Sequence, residues 1–134
     1  MIGNFMENVP FILSGCVIGI IIFQTAVTAP AVFTVLSGQD ASLFLRKIFP
    51  LFFLLIASLS AVNAMIVIYS DQAELIPMPV ASMILALLAY VLIPMTNRSR
   101  DNGDESRFKL LHRISVALTL MLSLIHISEP TRPY

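Results

Sequence analysis

Residues 48–70 read IFPLFFLLIASLSAVNAMIVIYS, a run of 23 residues without a single charged side chain. A helix needs about 20 apolar residues to cross roughly 30 Å of hydrocarbon, so this run is long enough to span a membrane. It is apolar on every face, whereas a helix of a soluble bundle shows a polar face at helical spacing. A soluble fold would leave these surfaces in water, and we therefore predict a transmembrane helix.

Three further segments on either side of this run have the same character. Their apolar parts cover about residues 11–36, residues 76–95 and residues 108–121 and beyond. Charged residues make up 12% of the 134-residue chain, against about a quarter in an average soluble domain. We predict an all-α fold, an integral membrane four-helix bundle formed by a single domain.

Lysine and arginine are unevenly distributed among the predicted connectors. The first connector contains two of them, the second contains none, and the third together with the start of the last helix contains five: Arg46 and Lys47, then Arg98, Arg100, Arg107, Lys109 and Arg113. By the positive-inside rule, connectors one and three lie in the cytoplasm and both termini lie outside. We expect a multi-pass protein of a bacterial cytoplasmic membrane, with the lipid bilayer as its partner. The net charge of zero argues against nucleic acid as a partner.

A few polar side chains fall in the middle of the apolar runs. The first helix contains Gln24 and Thr28, and the second contains Asn63. Such groups form hydrogen bonds between helices, or they line a polar pocket between helices one and two. The first three apolar runs contain no ionisable Asp, Glu, Lys or Arg, which argues against a proton-coupled pump working as a monomer.

Small residues mark one face of the first helix. Gly15 and Gly19 form a small-xxx-small pair, which lets two helix backbones approach closely in a membrane. The partner helix belongs to this chain or to a second copy, in which case the protein is a homo-oligomer. The lone Cys16 is expected to be a small buried hydrophobe, since one cysteine makes neither an internal disulfide nor a thiolate metal site.

The last helix carries a polar stripe at spacings of three and four residues. Its members are His112, Ser115, Thr119, Ser123 and His126. Histidines suggest haem or metal ligation, but these two are about 21 Å apart along a helix and cannot share one ion. His112 alone is a candidate metal ligand, and we predict no cofactor. No motif for nucleophilic, phosphate-binding or paired-carboxylate chemistry is present, so an enzyme has little support.

Three stretches together resemble a known family. They are APAVF at residues 29–33, IFPLFF at residues 48–53 and RFKLLHRISV at residues 107–116. They resemble the small four-helix membrane family called domain of unknown function 4149, similar to transmembrane protein 205, over about residues 11–121. The family has an asparagine near Thr119, where this chain differs. The resemblance implies a fold but no settled activity.

The shared positions suggest a structured mouth at the cytoplasmic side, which we call the mouth motif. Its members are Pro30, Phe33, Phe49, Pro50, Arg107, His112 and Ser115. Pro30 removes a backbone donor near the end of helix one, and Pro50 is expected in the first turn of helix two, where proline is tolerated.

The last residues have a different origin in our interpretation. Residues 122–132, LSLIHISEPTR, resemble the in-frame translation of a transposase-type sequencing adapter. We expect the genuine sequence to end near Met121, inside a truncated fourth helix, and residues 122–134 to be a non-native tail. We assign this tail no functional role.

Three functional classes stay open at this point. The first is a membrane protein that handles small solutes or metal ions, which fits the mid-membrane amides. The second is a haem- or metal-binding redox protein, and the third is an assembly or scaffold subunit.

Overall fold

The computed structural model describes residues 2–127, with side chains from Asn8 onward. Its elements are α1 (Ile2–Ile22), a π-helical segment (Phe23–Thr28), α2 (Ala29–Val35), α3 (Gly38–Tyr69), a 3-10 turn (Ala73–Leu75), α4 (Pro77–Asp101) and α5 (Glu105–Ile127). The described part of the chain contains no strand. Four helical stretches are long and apolar enough to cross a membrane, namely Asn8–Val35, Gly38–Tyr69, Ala73–Asp101 and Glu105–Ile127. The predicted all-α membrane fold is confirmed.

The four long helices form a ring in which each packs against two neighbours. Helix α3 lies between α1 and α4, and α5 lies between α4 and α1. Short connectors make successive helices antiparallel. The core between them consists of apolar side chains from all four helices: Val17, Ile21, Phe52, Phe53, Ile56, Ala57, Ala86, Ala89 and Leu122. Large apolar side chains such as Leu51 and Tyr69 are exposed on the outside, as a lipid-facing surface requires.

The helices extend beyond the apolar runs that predicted them. Helix α3 begins at Gly38, after Ser37, whose Oγ accepts a hydrogen bond from the backbone N–H of Asp40 at 3.3 Å. The placement of Arg46 and Lys47 in a connector is therefore wrong, because both lie on α3. An apolar run marks the part of a helix inside hydrocarbon, while polar turns continue the helix into the headgroup region.

The same correction applies to the third connector. Helix α4 continues to Asp101 and α5 begins at Glu105, so only residues 102–104 connect them. Gly103 has a φ of +70°, a conformation that glycine adopts at little cost. The last helix reaches Ile127 and includes residues 122–127 of the proposed tail, whereas residues 128–134 lie outside the described residues.

The two prolines of the mouth motif have different local settings. The expectation that Pro50 lies in the first turn of a helix is wrong, because α3 begins twelve residues earlier and places it in the helix interior. Pro30 lies in the first turn of α2, directly after the π-helical segment. Proline lacks an N–H, and its ring crowds the carbonyl four residues before it, here that of Ala26. In the wider turn before Pro30, the N–H of Ala29 donates to the carbonyl of Gln24, five residues back.

Buried polar contacts join the helices at the end of the bundle that contains Asn63. Its Nδ2 donates to the carbonyl oxygen of Pro10 and to Ser14 Oγ, each at 3.3 Å, and so ties α3 to α1. Ser60 and Ser82 share a hydrogen bond with an Oγ–Oγ distance of 2.8 Å, which ties α3 to α4. Of the two roles considered for Asn63, a hydrogen bond between helices or the lining of a polar pocket, the structure shows the first. Bonds of this kind contribute about 0.6–1.7 kcal/mol each in membranes.

The glycine face of α1 points away from the bundle. A Cβ atom built on Gly15 or Gly19 would have no neighbour within 4 Å, so no described helix of this chain packs closely there. Cys16 is exposed on the same stretch, and the expectation that it is buried is wrong. Lipid-facing and core positions are equally apolar in sequence, and hydrophobicity alone therefore did not separate them.

Candidate functional site

A cavity of about 900 Å³ opens at the end of the bundle where α3 begins and α4 ends. Its lining follows α5 from Glu105 to Leu120, about 22 Å of helix, and follows α3 from Ser42 to Phe53. Next to its inner end lie Ile56 and Ala86, both fully buried in the core. The cavity therefore reaches the middle of the bundle from one side and meets close-packed side chains there.

The α3 wall of the cavity is aromatic. Phe49, Phe52 and Phe53 recur at spacings of three and four, which places them on one side of the helix. The ring centroids of Phe52 and Phe53 are 4.9 Å apart in an edge-on arrangement, and those of Phe49 and Phe53 are 6.3 Å apart in a stacked one. These rings give the cavity a rigid apolar surface.

Gln24 is the polar group at the inner wall. It comes from the π-helical segment, its side chain is only 7% exposed, and its Nε2 has no hydrogen-bond partner. A buried donor without a partner costs about 1–3 kcal/mol, so such groups are rare in native proteins. Its neighbour Thr25 also lines the cavity, but the Thr25 hydroxyl donates to the carbonyl of Ile21 at 2.9 Å. The Nε2 atom is itself buried, so a bound molecule would reach it only after the Gln24 side chain turns toward the cavity.

The rim of the cavity carries charged side chains. Those that line it are Arg46, Arg100, Lys109 and Glu105. Arg46 makes a two-pronged ion pair with Asp101, in which Nη1 donates to Oδ2 at 2.9 Å and Nη2 donates to Oδ1. Lys109 Nζ donates to Glu105 Oε2 at 3.1 Å, one turn away on α5. Arg100 forms no ion pair in the described part of the chain, so the rim has an excess of positive charge.

An aromatic stack fixes the side of the rim formed by α5. The guanidinium carbon of Arg100 lies 5.8 Å from the ring centroid of Phe108, and the ring of His112 stacks on Phe108 at 5.8 Å with an angle of 12°. Phe108 and His112 are four residues apart on α5, the spacing that brings helix side chains together. A cation above one ring face stabilises the stack electrostatically.

His112 has surroundings that suit an anion better than a metal cation. Arg100 and Lys109 line the same cavity, and their charges repel metal ions. Among the side chains that the structure describes, from Asn8 to Ile127, no group of three or more His, Cys, Asp or Glu could hold a metal ion. The other histidine, His126, lies toward the opposite end of α5, where its Nε2 is 3.4 Å from Ser82 Oγ.

The cavity brings together part of the predicted set of site residues. Phe33, Phe49, His112 and Ser115 of the mouth motif line it, together with Gln24 from the mid-membrane polar group. Pro30, Pro50 and Arg107 do not line it, and neither do Thr28 and Asn63. Asn63 contacts α1 at Pro10 and Ser14, ten or more residues before Gln24, so the two amides lie about 15 Å or more apart along the helix.

Sequence reasoning missed the cationic residues of the rim. Arg46 precedes Phe49 by three residues and Phe53 by seven, so helical spacing already placed it on the aromatic side of α3. The apolar run began only at Ile48, and Arg46 was therefore assigned to a loop. No helical spacing in the sequence indicated that Arg100 lies at the rim, because its position depends on how α4 and α5 meet.

Comparisons with known proteins identify the family but add no activity. No curated protein and no solved structure matched the chain. The model of one protein family, described as a domain of unknown function (DUF4149), matches residues 12–105, well over half of the chain. The match covers α3, α4 and most of the segment before them, and it ends where α5 begins. The chain belongs to the DUF4149 family.

Proposed function

We propose that this membrane protein binds a small amphipathic organic solute in the cavity, at one side of the membrane. The observation that carries the proposal is the unpartnered, buried Nε2 of Gln24 in a cavity of about 900 Å³. Small-molecule sites have volumes of about 300–1,000 Å³, a mostly apolar lining and a few convergent polar groups. The phenylalanine wall supplies the apolar surface, and Gln24 with the charged rim supplies the polar groups.

The positive-inside rule supports a cytoplasmic opening for this cavity. Arg46, Lys47, Arg98 and Arg100 all lie near the end of the bundle at which it opens. We therefore propose that the solute enters from the cytoplasm or from the adjacent leaflet. The closed core beyond Ile56 supports a binding protein, or one state of a transporter, over an open channel.

Two other hypotheses have less support. A metal-ion substrate is disfavoured by the cationic rim around His112. A haem- or metal-binding redox protein predicts a Soret or charge-transfer band in the purified protein, and such a band would replace our proposal. The likeness to transmembrane protein 205 and the bacterial source stay predictions of the sequence.

Solute binding can be measured with a tryptophan reporter, because the chain contains no tryptophan. Phe49→Trp places the reporter on the cavity wall, and Leu54→Trp places a control on the exposed side of α3. Both variants are reconstituted in lipid nanodiscs and titrated with a nitroxide-labelled single-chain amphiphile, which quenches nearby indoles.

We expect saturable quenching at position 49 and linear quenching at position 54, where the probe only partitions into lipid. Adding Gln24→Leu to the Phe49→Trp protein should weaken the saturable component. Linear quenching at both positions, unchanged by Gln24→Leu, would show that the cavity is not a binding site.

A further inference from the structure

A second space adjoins the cavity and shares part of its wall. This groove has a volume of about 510 Å³ and lies between α1 and α3 on the lipid-facing side, where its lining is Cys16, Gly19, Ile20, Phe23, Gln24, Ile48, Leu51, Phe52 and Leu55. Gln24 and Phe52 line both spaces, so they stand between the cavity and the groove. Both residues are buried, so they form a common wall between the two spaces.

We propose that the solute of the cavity is an anionic membrane phospholipid, held with its phosphate at the cationic rim and one acyl chain in the groove. The inference rests on the proposed function, because it assigns the chemical class of the bound solute. The phosphate pairs with Arg100 and Lys109, and an ester carbonyl accepts a hydrogen bond from Gln24 Nε2.

The cationic side chains of the rim suit a phosphate group. Arg100 has no ion pair in the described residues, and its guanidinium is held in place over Phe108. Lys109 pairs only with Glu105, in an exposed contact that water screens. A guanidinium binds phosphate through two parallel hydrogen bonds, which fits a phosphate monoester or diester at this position.

The chemical groups along α3 follow the order of the groups in a phospholipid. Arg46 lies at the rim on α3. Phe52, which lines both spaces together with Gln24, lies six residues or about 9 Å further along the helix. The groove runs along α3 from Ile48, two residues after Arg46, to Leu55, and its lining is almost wholly apolar. An apolar groove that begins just inside a cationic rim follows the order of phosphate and acyl chain in one leaflet, and Gln24 lies beside the groove.

Gly19 gives the acyl chain room. A Cβ atom at this position would meet nothing within 4 Å, and the exposed Cys16 adjoins the same space. A leucine at position 19 would project into the groove. Gly15 has the same open surroundings but lines neither space, so Gly15→Leu is a matched control.

The test uses the full chain in nanodiscs that contain a trace of photoactivatable lipid, with the crosslinked peptides identified by mass spectrometry. Three probes carry the same diazirine-labelled acyl chain: phosphatidic acid, phosphatidylcholine and diacylglycerol. We expect phosphatidic acid to label the groove peptides about three- to tenfold more than diacylglycerol does. Gly19→Leu should reduce this labelling while Gly15→Leu leaves it unchanged, and Arg100→Gln should remove the preference for the anionic probe.

Equal labelling by all three probes, or labelling that Gly19→Leu does not alter, would overturn the lipid assignment. A single-chain amphiphile that still quenches Phe49→Trp saturably would then leave the proposed function standing with a different solute. Linear quenching at position 49 would instead remove the proposed function itself.

Discussion

Replacing Gln24 by leucine should make the protein more stable and less able to bind its solute. The buried Nε2 has no partner, and such a group costs about 1–3 kcal/mol relative to a paired or absent one. Leucine has a similar size and no polar group, so Gln24→Leu should raise the free energy of unfolding by about 1–3 kcal/mol. A gain in stability from the loss of a polar group is typical of residues kept for function.

The control is Asn63, a buried amide between α3 and α1. Asn63 Nδ2 donates to Pro10 O and Ser14 Oγ, so Asn63→Leu removes two bonds between helices, together with an Oδ1 that has no partner. We expect this variant to lose about 1–2 kcal/mol. Both variants are unfolded by sodium dodecyl sulfate in mixed micelles, with helix content followed by circular dichroism. If Gln24→Leu loses stability as Asn63→Leu does, the Gln24 amide has a structural partner and the argument for the site fails.

Four further changes test the arrangement of the chain. Arg46→Asp and Asp101→Arg should each lower the melting temperature, and the double exchange should restore it, since the pair links α3 to α4; a double exchange as unstable as the single changes would contradict this link. High salt should reduce the loss from either single change, because the pair is partly exposed and is screened by ions. Mild oxidation in membranes should not produce an intermolecular Cys16 disulfide if lipid covers the groove. A disulfide-linked dimer that forms in the unmodified protein but not in Cys16→Ser would instead place a second copy at the groove. A reporter fused after Ser70 should lie outside the cytoplasm, and cytoplasmic activity would reverse the proposed topology. Reading the source gene past the codon for Met121 should replace the adapter-like codons with apolar ones, and finding the present tail in genomic DNA would exclude an adapter origin.

The sequence predicted the number of spanning helices but not where they end. Hydrocarbon requires about 20 apolar residues per span, which makes each span visible as an uncharged run. Nothing in that requirement stops a helix at the membrane surface, and α3 begins at Gly38 while α4 continues to Asp101. The charged side chains on these extra turns, Arg46 and Arg100, form half of the rim, and both were therefore missing from the sequence-based site.

The two buried amides show a second limit of sequence reasoning. Gln24 and Asn63 are the same kind of group in the same kind of apolar run, and the sequence allowed either of them a structural or a pocket role. The difference lies in what faces them. Asn63 Nδ2 donates to Pro10 O and Ser14 Oγ on α1, although its Oδ1 has no partner, whereas Gln24 Nε2 is buried beside the cavity and donates to nothing. Which helix faces which side chain is a property of packing, and no local pattern encodes it.

The polar groups divide the bundle into two halves with different roles. In the half that contains Asn63, buried polar side chains pair across helix boundaries, and these contacts hold the helices in register. In the half with the cavity, departures from regular structure collect on the segment from Gly19 to Thr28: the open space at Gly19, the unpartnered Nε2 of Gln24 and the π-helical turn before Pro30. Each departure costs stability that leucine in a regular helix would retain, and natural sequences keep such costs mainly at functional sites. Two of them lie beside the cavity and the third lies in the adjoining groove, an arrangement that we expect of a bundle that binds a ligand more than of one that serves only as a scaffold.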